Sequence, residues 1–356
     1  MKKVYGLLLI ATALFIGCQD DAETVLEPQQ SIDMSDFYVH SDGTDKSPTE
    51  GKQCHSMQVL NRMLEKDPDL YKKMYDIEYN TRKYLAAGKP GNGNGNGNGN
   101  GGGGNGGDGG DGGTGGDDGL GVVNIPVYVH VVYSNSNENI SSTQINSQMN
   151  VLNDDFRKAN NDANQIPSEF AGVAADSEIT FSLAGVFRHS DSRTSWGTND
   201  AVKAAYPPVS PSTHLNIWVC NIGGGILGYA QFPGGNLNTD GVVVSPQYFG
   251  TTGYVSAPFD GGRTLTHEVG HYLNLRHIWG DGRCNRDDFV SDTPRSDRPN
   301  YGCPTYPTSH CRSTDMTMNY MDYVNDDCMY MFTEGQKSRM RALFASGGAR
   351  AAIAGN

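Results

Sequence analysis

The sequence predicts an α+β fold in two parts: a twisted mixed sheet with a backing helix and a second helix facing a cleft, then an irregular, disulfide-held C-terminal subdomain. Three observations carry this prediction. Ile125 to Tyr133 alternates apolar residues as a strand does, and Asn139 to Asn160 comes next with Ile145, Met149, Leu152 and Phe156 at helical spacing, a βα start. Four more short apolar runs read as strands: Glu178 to Phe187, Leu215 to Ile222, Gly228 to Phe232 and Asp240 to Ser245. Beyond His277 regular periodicity fades, and Cys284, Cys303, Cys311 and Cys328 gather where crosslinks would hold loops that cannot form a core.

From the N-terminus, residues 1–18 carry Lys2 and Lys3, an apolar run from Val4 to Ile16, and Gly17-Cys18. Charge, length and small-residue ending suit an export signal, and the run is short for a membrane span. Gly17-Cys18 looks like a bacterial lipobox, with Phe15 in place of the usual leucine, so Cys18 is the expected lipidation site. The acidic Gln19-Asp20-Asp21-Ala22-Glu23 is similar to the surface-export signal of Bacteroidetes lipoproteins. An exported outer-membrane or cell-surface lipoprotein is expected, touching membrane only through its N-terminal lipid.

Residues 19–90 form the next segment. Ser56 to Glu65 and Pro68 to Ala87 read as helices, with Asp67 as N-cap, Pro68 at the first helical position and Gly88 as a stop. Leu70, Met74, Ile77 and Leu85 make an apolar stripe too small for an independent domain. Residues 91–119 are almost entirely Gly, Asn and Asp, cannot bury enough apolar surface to fold, and would span about 30 Å as a flexible linker. A calcium-binding β-roll would need an apolar residue in each turn, and none occurs. Residues 120–356 are the main folded domain.

The net charge of −13, without Lys/Arg clusters, excludes a nucleic-acid partner and favours a soluble monomer. Export places the seven cysteines where disulfides persist. The four downstream of His277 allow three pairings. Cys220, after the apolar Leu215-Asn216-Ile217-Trp218-Val219, reads as a buried free thiol.

The candidate chemistry lies in His267-Glu268-Val269-Gly270-His271, extended through Asn274 to His277. On a helix His267 and His271 project from one face and can share a tetrahedral Zn²⁺, with Glu268 beside it as a base for a metal-bound water. Leu265, Val269 and Tyr272 recur on the opposite face, as for a helix packed on a core. His277 reaches the same ion only if the helix stops and the chain turns sharply at a residue with positive φ, and Asn274 stands there.

These residues, with Asn319-Tyr320-Met321-Asp322-Tyr323 downstream, resemble the metzincin metalloproteases and, within them, the pappalysin family. Asn274 replaces the glycine of the metzincin pattern. The resemblance runs from near Val122 to the C-terminus and implies a zinc metalloendopeptidase acting on proteins or peptides. It implies one zinc ion held by His267, His271 and His277, Glu268 as general base, and Tyr323 as donor to the oxyanion. Met321 would be the Met-turn residue beneath the histidines. It further implies disulfides Cys284–Cys311 and Cys303–Cys328, and substrate pairing with the edge strand near Gly228 to Phe232. It also implies a preference for a basic residue after the scissile bond, with Asp322, Asp326 or Asp327 as its counter-charge.

Cys54, in Gly51-Lys52-Gln53-Cys54-His55-Ser56-Met57, resembles the cysteine of the pappalysin profragment that closes the zinc site in a latent zymogen. Lipid and Cys54 both precede the linker, so a cut there would end inhibition and release the catalytic domain extracellularly. Asp287, Asp292 and Thr293 offer oxygen ligands to a calcium ion, although a solvated acidic turn accounts for them as well. The alternative is a weakly active or inactive binding module on the same scaffold, suggested by Asn274 and opposed by the retention of all three histidines and Glu268.

Overall fold

The computed structural model describes residues 31–40, 54–88 and 118–355. The chain divides into two compact units, Met1–Asp33 and Met34–Asn356. The expected signal, Cys18, and nearly all of the expected linker lie outside the described residues.

The second unit is built on a sheet of five strands, β1 (Val123–Tyr133), β2 (Ile179–Ser190), β3 (Leu215–Val219), β4 (Gly228–Ala230) and β5 (Val242–Val244), in the order β2-β1-β3-β5-β4. All neighbours run parallel except β4, which pairs antiparallel to β5 and forms one edge. The strands β3, β4 and β5 are buried on both faces under helices and loops and are apolar apart from Asn216, which is hydrogen-bonded to Val209 and His130. Helix α3 (Ser142–Phe156) is capped by Ser141, whose hydroxyl accepts from Gln144 N, and lays Ile145, Leu152 and Phe156 on the sheet. Two short helices, α4 (Ser168–Ala171) and α5 (Ala201–Ala205), lie in the connections.

Helix α6 (Arg263–Tyr272) carries the histidine motif and packs on α3 and the sheet. Asp155 joins the two helices, accepting from Thr266 Oγ1 at 2.7 Å and Tyr320 Oη at 2.9 Å. Burial pushes its carboxyl up to about 6, against the pull of Arg263.

After α6 regular structure is sparse: ladders β6 (Tyr301–Gly302) with β9 (Tyr323–Val324), β7 (Ser309–His310) with β8 (Ser313–Thr314), and helix α7 (Glu334–Ala342). Thr333 and Gln336 form a capping box at the start of α7. Disulfides join Cys284 to Cys311 and Cys303 to Cys328, while Cys220 is a buried free thiol.

The N-terminal helices α1 (Ser56–Lys66) and α2 (Pro68–Ala87) form no domain of their own. Met57, Leu60, Leu64, Leu70 and Met74 bury their apolar face with Val39 over Phe232, just past β4. Glu78 of α2 meets Arg339 of α7 in a buried ion pair at 2.7 Å. Asp118, at the end of the expected linker, is anchored to the body: it pairs with the buried Arg341 and accepts from Tyr84 Oη of α2 at 2.8 Å.

Candidate metal centre

His267, His271 and His277 are fully buried and converge, with Cys54, into one cluster whose ligand atoms all lie within 4.8 Å of one another. Local sequence explains the convergence. Helix α6 puts His267 and His271 one turn apart. It then ends in a Schellman motif in which Asn274, at φ 69°, donates N–H to His271 O at 3.0 Å, and Leu275 N donates to Gly270 O at 2.9 Å. The left-handed Asn274 reverses the chain and brings His277 back to its neighbours.

Each imidazole is oriented from behind. His267 Nδ1 donates to Tyr320 O at 2.7 Å, His271 Nδ1 donates to Leu275 O at 2.8 Å, and His277 Nδ1 meets the carboxylate of Asp281. With the Nδ1 protons committed, the Nε2 lone pairs face the cluster, as in histidine sites that bind zinc. Trp279 stacks on His277 at 4.3 Å and 4°. Burial pushes the Asp281 carboxyl up to about 7, against Arg276 and His271. Asp281 and Trp279 escaped the sequence reasoning; the i, i+4 spacing of His277 and Asp281 is their only signal.

Two glycines make room for the site. A Cβ on Gly270 would fall 2.4 Å from Met321 Sδ, so the absence of a side chain lets the buried Met321 press up beneath the helix. A Cβ on Gly228 would lie 3.0 Å from Glu268 Cγ, so the edge strand and Glu268 can approach closely. Gly270→Ala is therefore expected to destabilise the protein by about 1–3 kcal/mol through overpacking, read as a shifted denaturation midpoint, and to weaken metal retention on dialysis.

The N-terminal segment covers this centre. Cys54 forms a parallel bridge with Gly228, and His55 N donates to Gly228 O at 3.1 Å. Cys54 Sγ lies 3.5 Å from Glu268 Oε2, and Tyr323 Oη donates to Cys54 O at 3.3 Å. Ser56, which the sequence reasoning passed over, donates from Oγ to Glu268 Oε2 at 2.7 Å and accepts from Ala230 N at 2.8 Å. Burial and the Glu268 carboxylate push the Cys54 thiol up, so a thiolate there calls for the charge of a cation. Three imidazoles and a thiol are the donor set Zn²⁺ prefers.

The other expected residues lie elsewhere. Asp322 is buried and accepts from Asn300 N and Nδ2, and Asp326 is buried and accepts from Gly261 N and Arg263 N. Asp327 is exposed. Asp287 pairs with Arg295, Asp292 accepts from Thr333 Oγ1 and Gly335 N at the start of α7, and Thr293 donates to the buried Asp288.

Fold and donor set define the class: a metal-dependent hydrolase of the metzincin type. The family model described as "Pregnancy-associated plasma protein-A" matches residues 209–345. An extracellular metalloprotease of Arthroderma otae is 31% identical over 228 residues, covering 61% of this chain and 76% of the relative. Extracellular metalloprotease 1 of Coccidioides posadasii is 33% identical over 235 residues, covering 62% and 77%. Among solved structures, mature mirolysin of Tannerella forsythia in complex with a cleaved peptide is 47% identical with TM-score 0.64, over 65% of this chain and 95% of that one. A promirolysin mutant of the same organism is 38% identical with TM-score 0.71, over 85% and 97%. The protein belongs to the pappalysin family of metalloproteases.

Proposed function

We propose that the protein is a secreted zinc endopeptidase held latent by a leader, residues 19–90, with 120–356 as its catalytic domain. The observation that carries this is the placement of Cys54 within the imidazole cluster, on a segment that also engages Glu268, Tyr323 and the β4 edge. That the leader spans 19–90 after a lipidated Cys18, and that a cut within 91–119 frees the enzyme, belongs to the same proposal. The extracellular relatives and the promirolysin neighbour support it.

His267, His271 and His277 would hold the zinc, which when bound polarises a peptide carbonyl and lowers the pKa of water to about 7. Glu268 takes the proton from the attacking water and passes it to the leaving amine. Tyr323, its hydroxyl freed from Cys54 O, donates to the developing oxyanion. Gly228 O and Ala230 N, now engaged by His55 and Ser56, become free to pair with an extended peptide. A preference for a basic residue after the scissile bond is part of the proposal, and of the three candidate counter-charges only Asp327 is exposed.

The test compares the full chain, before and after limited proteolysis between residues 88 and 118, on a denatured protein substrate with and without chelator. Chelator-sensitive cleavage should appear only after the cut. Full activity in the uncut chain would refute latency, and none after the cut would refute the peptidase assignment.

Acid should loosen the leader. Burial alone would raise the Glu78 carboxyl, but Arg339 and Arg82 outweigh it and pull it from 4.5 to about 2. Its stabilising contribution is thus fully present above pH 4.5 and is lost as pH falls towards 2. In the cut chain, leader release should accelerate across that window, and Glu78→Gln should flatten the dependence.

A further inference from the structure

Tyr38 packs on residues 276–289, around and after the third histidine. Two guanidinium groups lie against the phenol ring, with Arg276 Cζ 4.4 Å and Arg286 Cζ 4.1 Å from its centroid, and the ring meets Phe289 edge-on at 5.2 Å. Its hydroxyl faces the main-chain carbonyls of Gly280 and Asp287, the latter at 2.6 Å, and accepts from Asp287 N at 3.3 Å. Arg276 Nη2 also donates to the main-chain carbonyls of Tyr38 and Val39. Burial pushes the Tyr38 phenol up to about 12, against the pull of Arg276, so it stays a donor to those carbonyls.

The residues that contact the Tyr38 side chain through these bonds and rings, Arg276, Gly280, Arg286, Asp287 and Phe289, all belong to the body. The Cys284–Cys311 disulfide, the His277–Asp281 contact and the bond from Arg339 Nη1 to Phe289 O help hold this loop, while Phe289 also stacks on Phe37 at 6.1 Å and lies against Arg82 of the N-terminal segment. Phe289 has φ 65°, a left-handed conformation that a bulky side chain adopts only under constraint from its surroundings. Strain of this kind gathers at ligand clamps, and here it turns the ring towards the phenol.

We propose that residues 276–289 form a subsite for a tyrosyl side chain of an extended protein substrate, occupied by Tyr38 until the leader departs. The inference rests on the reading of residues 19–90 as a removable leader. Arg276 supplies contacts to main-chain carbonyls that any peptide carries, and the two guanidinium groups supply cation–π contacts to an aromatic ring. Two carbonyl acceptors select for the hydroxyl, since phenylalanine would leave them unpaired, and sites built to bond a hydroxyl reject analogues lacking it.

Two measurements test it. In the full chain, Tyr38→Ala vacates the site, and p-cresol should then bind saturably by ligand-observed NMR. Toluene should bind at least tenfold more weakly, and neither the unaltered chain nor Tyr38→Ala combined with Arg286→Ala should bind p-cresol. In enzyme released from the full chain, Phe289→Ala should raise KM about tenfold for a tyrosine-rich denatured protein, with kcat unchanged, and leave a short tyrosine-free peptide unaffected. Equal binding of p-cresol and toluene, or equal KM changes for both substrates, overturns the subsite. If Tyr38→Ala does not fold, the KM comparison decides. An absence of any activity after release would instead sink the peptidase reading and this subsite with it, whereas an active enzyme indifferent to Phe289 sinks the subsite alone.

Discussion

Glu268→Gln in the cut enzyme lowers kcat by about 10²–10⁴, the range over which a positioned acid–base group acts, while zinc content and KM stay near their starting values. The argument is geometric. Glu268 sits on α6 between His267 and His271, and Gly228 gives its carboxylate room at the edge strand. Glutamine keeps the shape but can neither take a proton from water nor return one to an amine. Metal analysis of the same preparation separates this from loss of the ion: a variant with full zinc and full kcat would place the base elsewhere.

Cys54→Ala in the uncut chain exposes activity, but less than the cut produces. The thiol is only one of the leader's holds on the centre. Ser56 bonds Glu268 and the Ala230 N–H, and Val39 with α1 and α2 closes an apolar cluster over Phe232. Cys54→Ala should therefore leave at least tenfold residual latency, and Cys54→Ala with Ser56→Ala should remove most of it, measured as the ratio of cut to uncut activity. If the cysteine variant alone matches the cut enzyme, Ser56 has no part in inhibition. If it stays fully latent, thiol ligation has none.

The motif helix, the turn at Asn274 and the flanking strands were legible because each depends on local chemistry. Imidazoles one turn apart, an Asn that tolerates positive φ, and alternating valines in β1 all announce themselves in a short window. Boundaries were less so: the run from Asp240 to Ser245 shortens to Val242–Val244, since only those residues pair with β3 and β4. Asp281, Trp279 and Ser56 were not found. Trp279 and Asp281 act on His277 close by in sequence, where only the i, i+4 spacing of His277 and Asp281 hints at them, and Ser56 acts on Glu268, brought near by docking of the N-terminal segment. Asp287, a candidate calcium ligand by composition, offers its main-chain oxygen to Tyr38, and Asp292 accepts from Gly335 N at the start of α7.

The anchoring of Asp118 sets a limit on maturation. Its carboxylate is shared between Tyr84 of α2 and the buried Arg341. A protease cutting upstream of Asp118 leaves the guanidinium paired and releases only the tyrosine hydroxyl. A protease cutting downstream of it removes the counter-charge of a buried cation, leaving Glu178 and main-chain carbonyls to hold Arg341. On the proposed removal of the leader, the more durable product is expected to be the one that keeps Asp118.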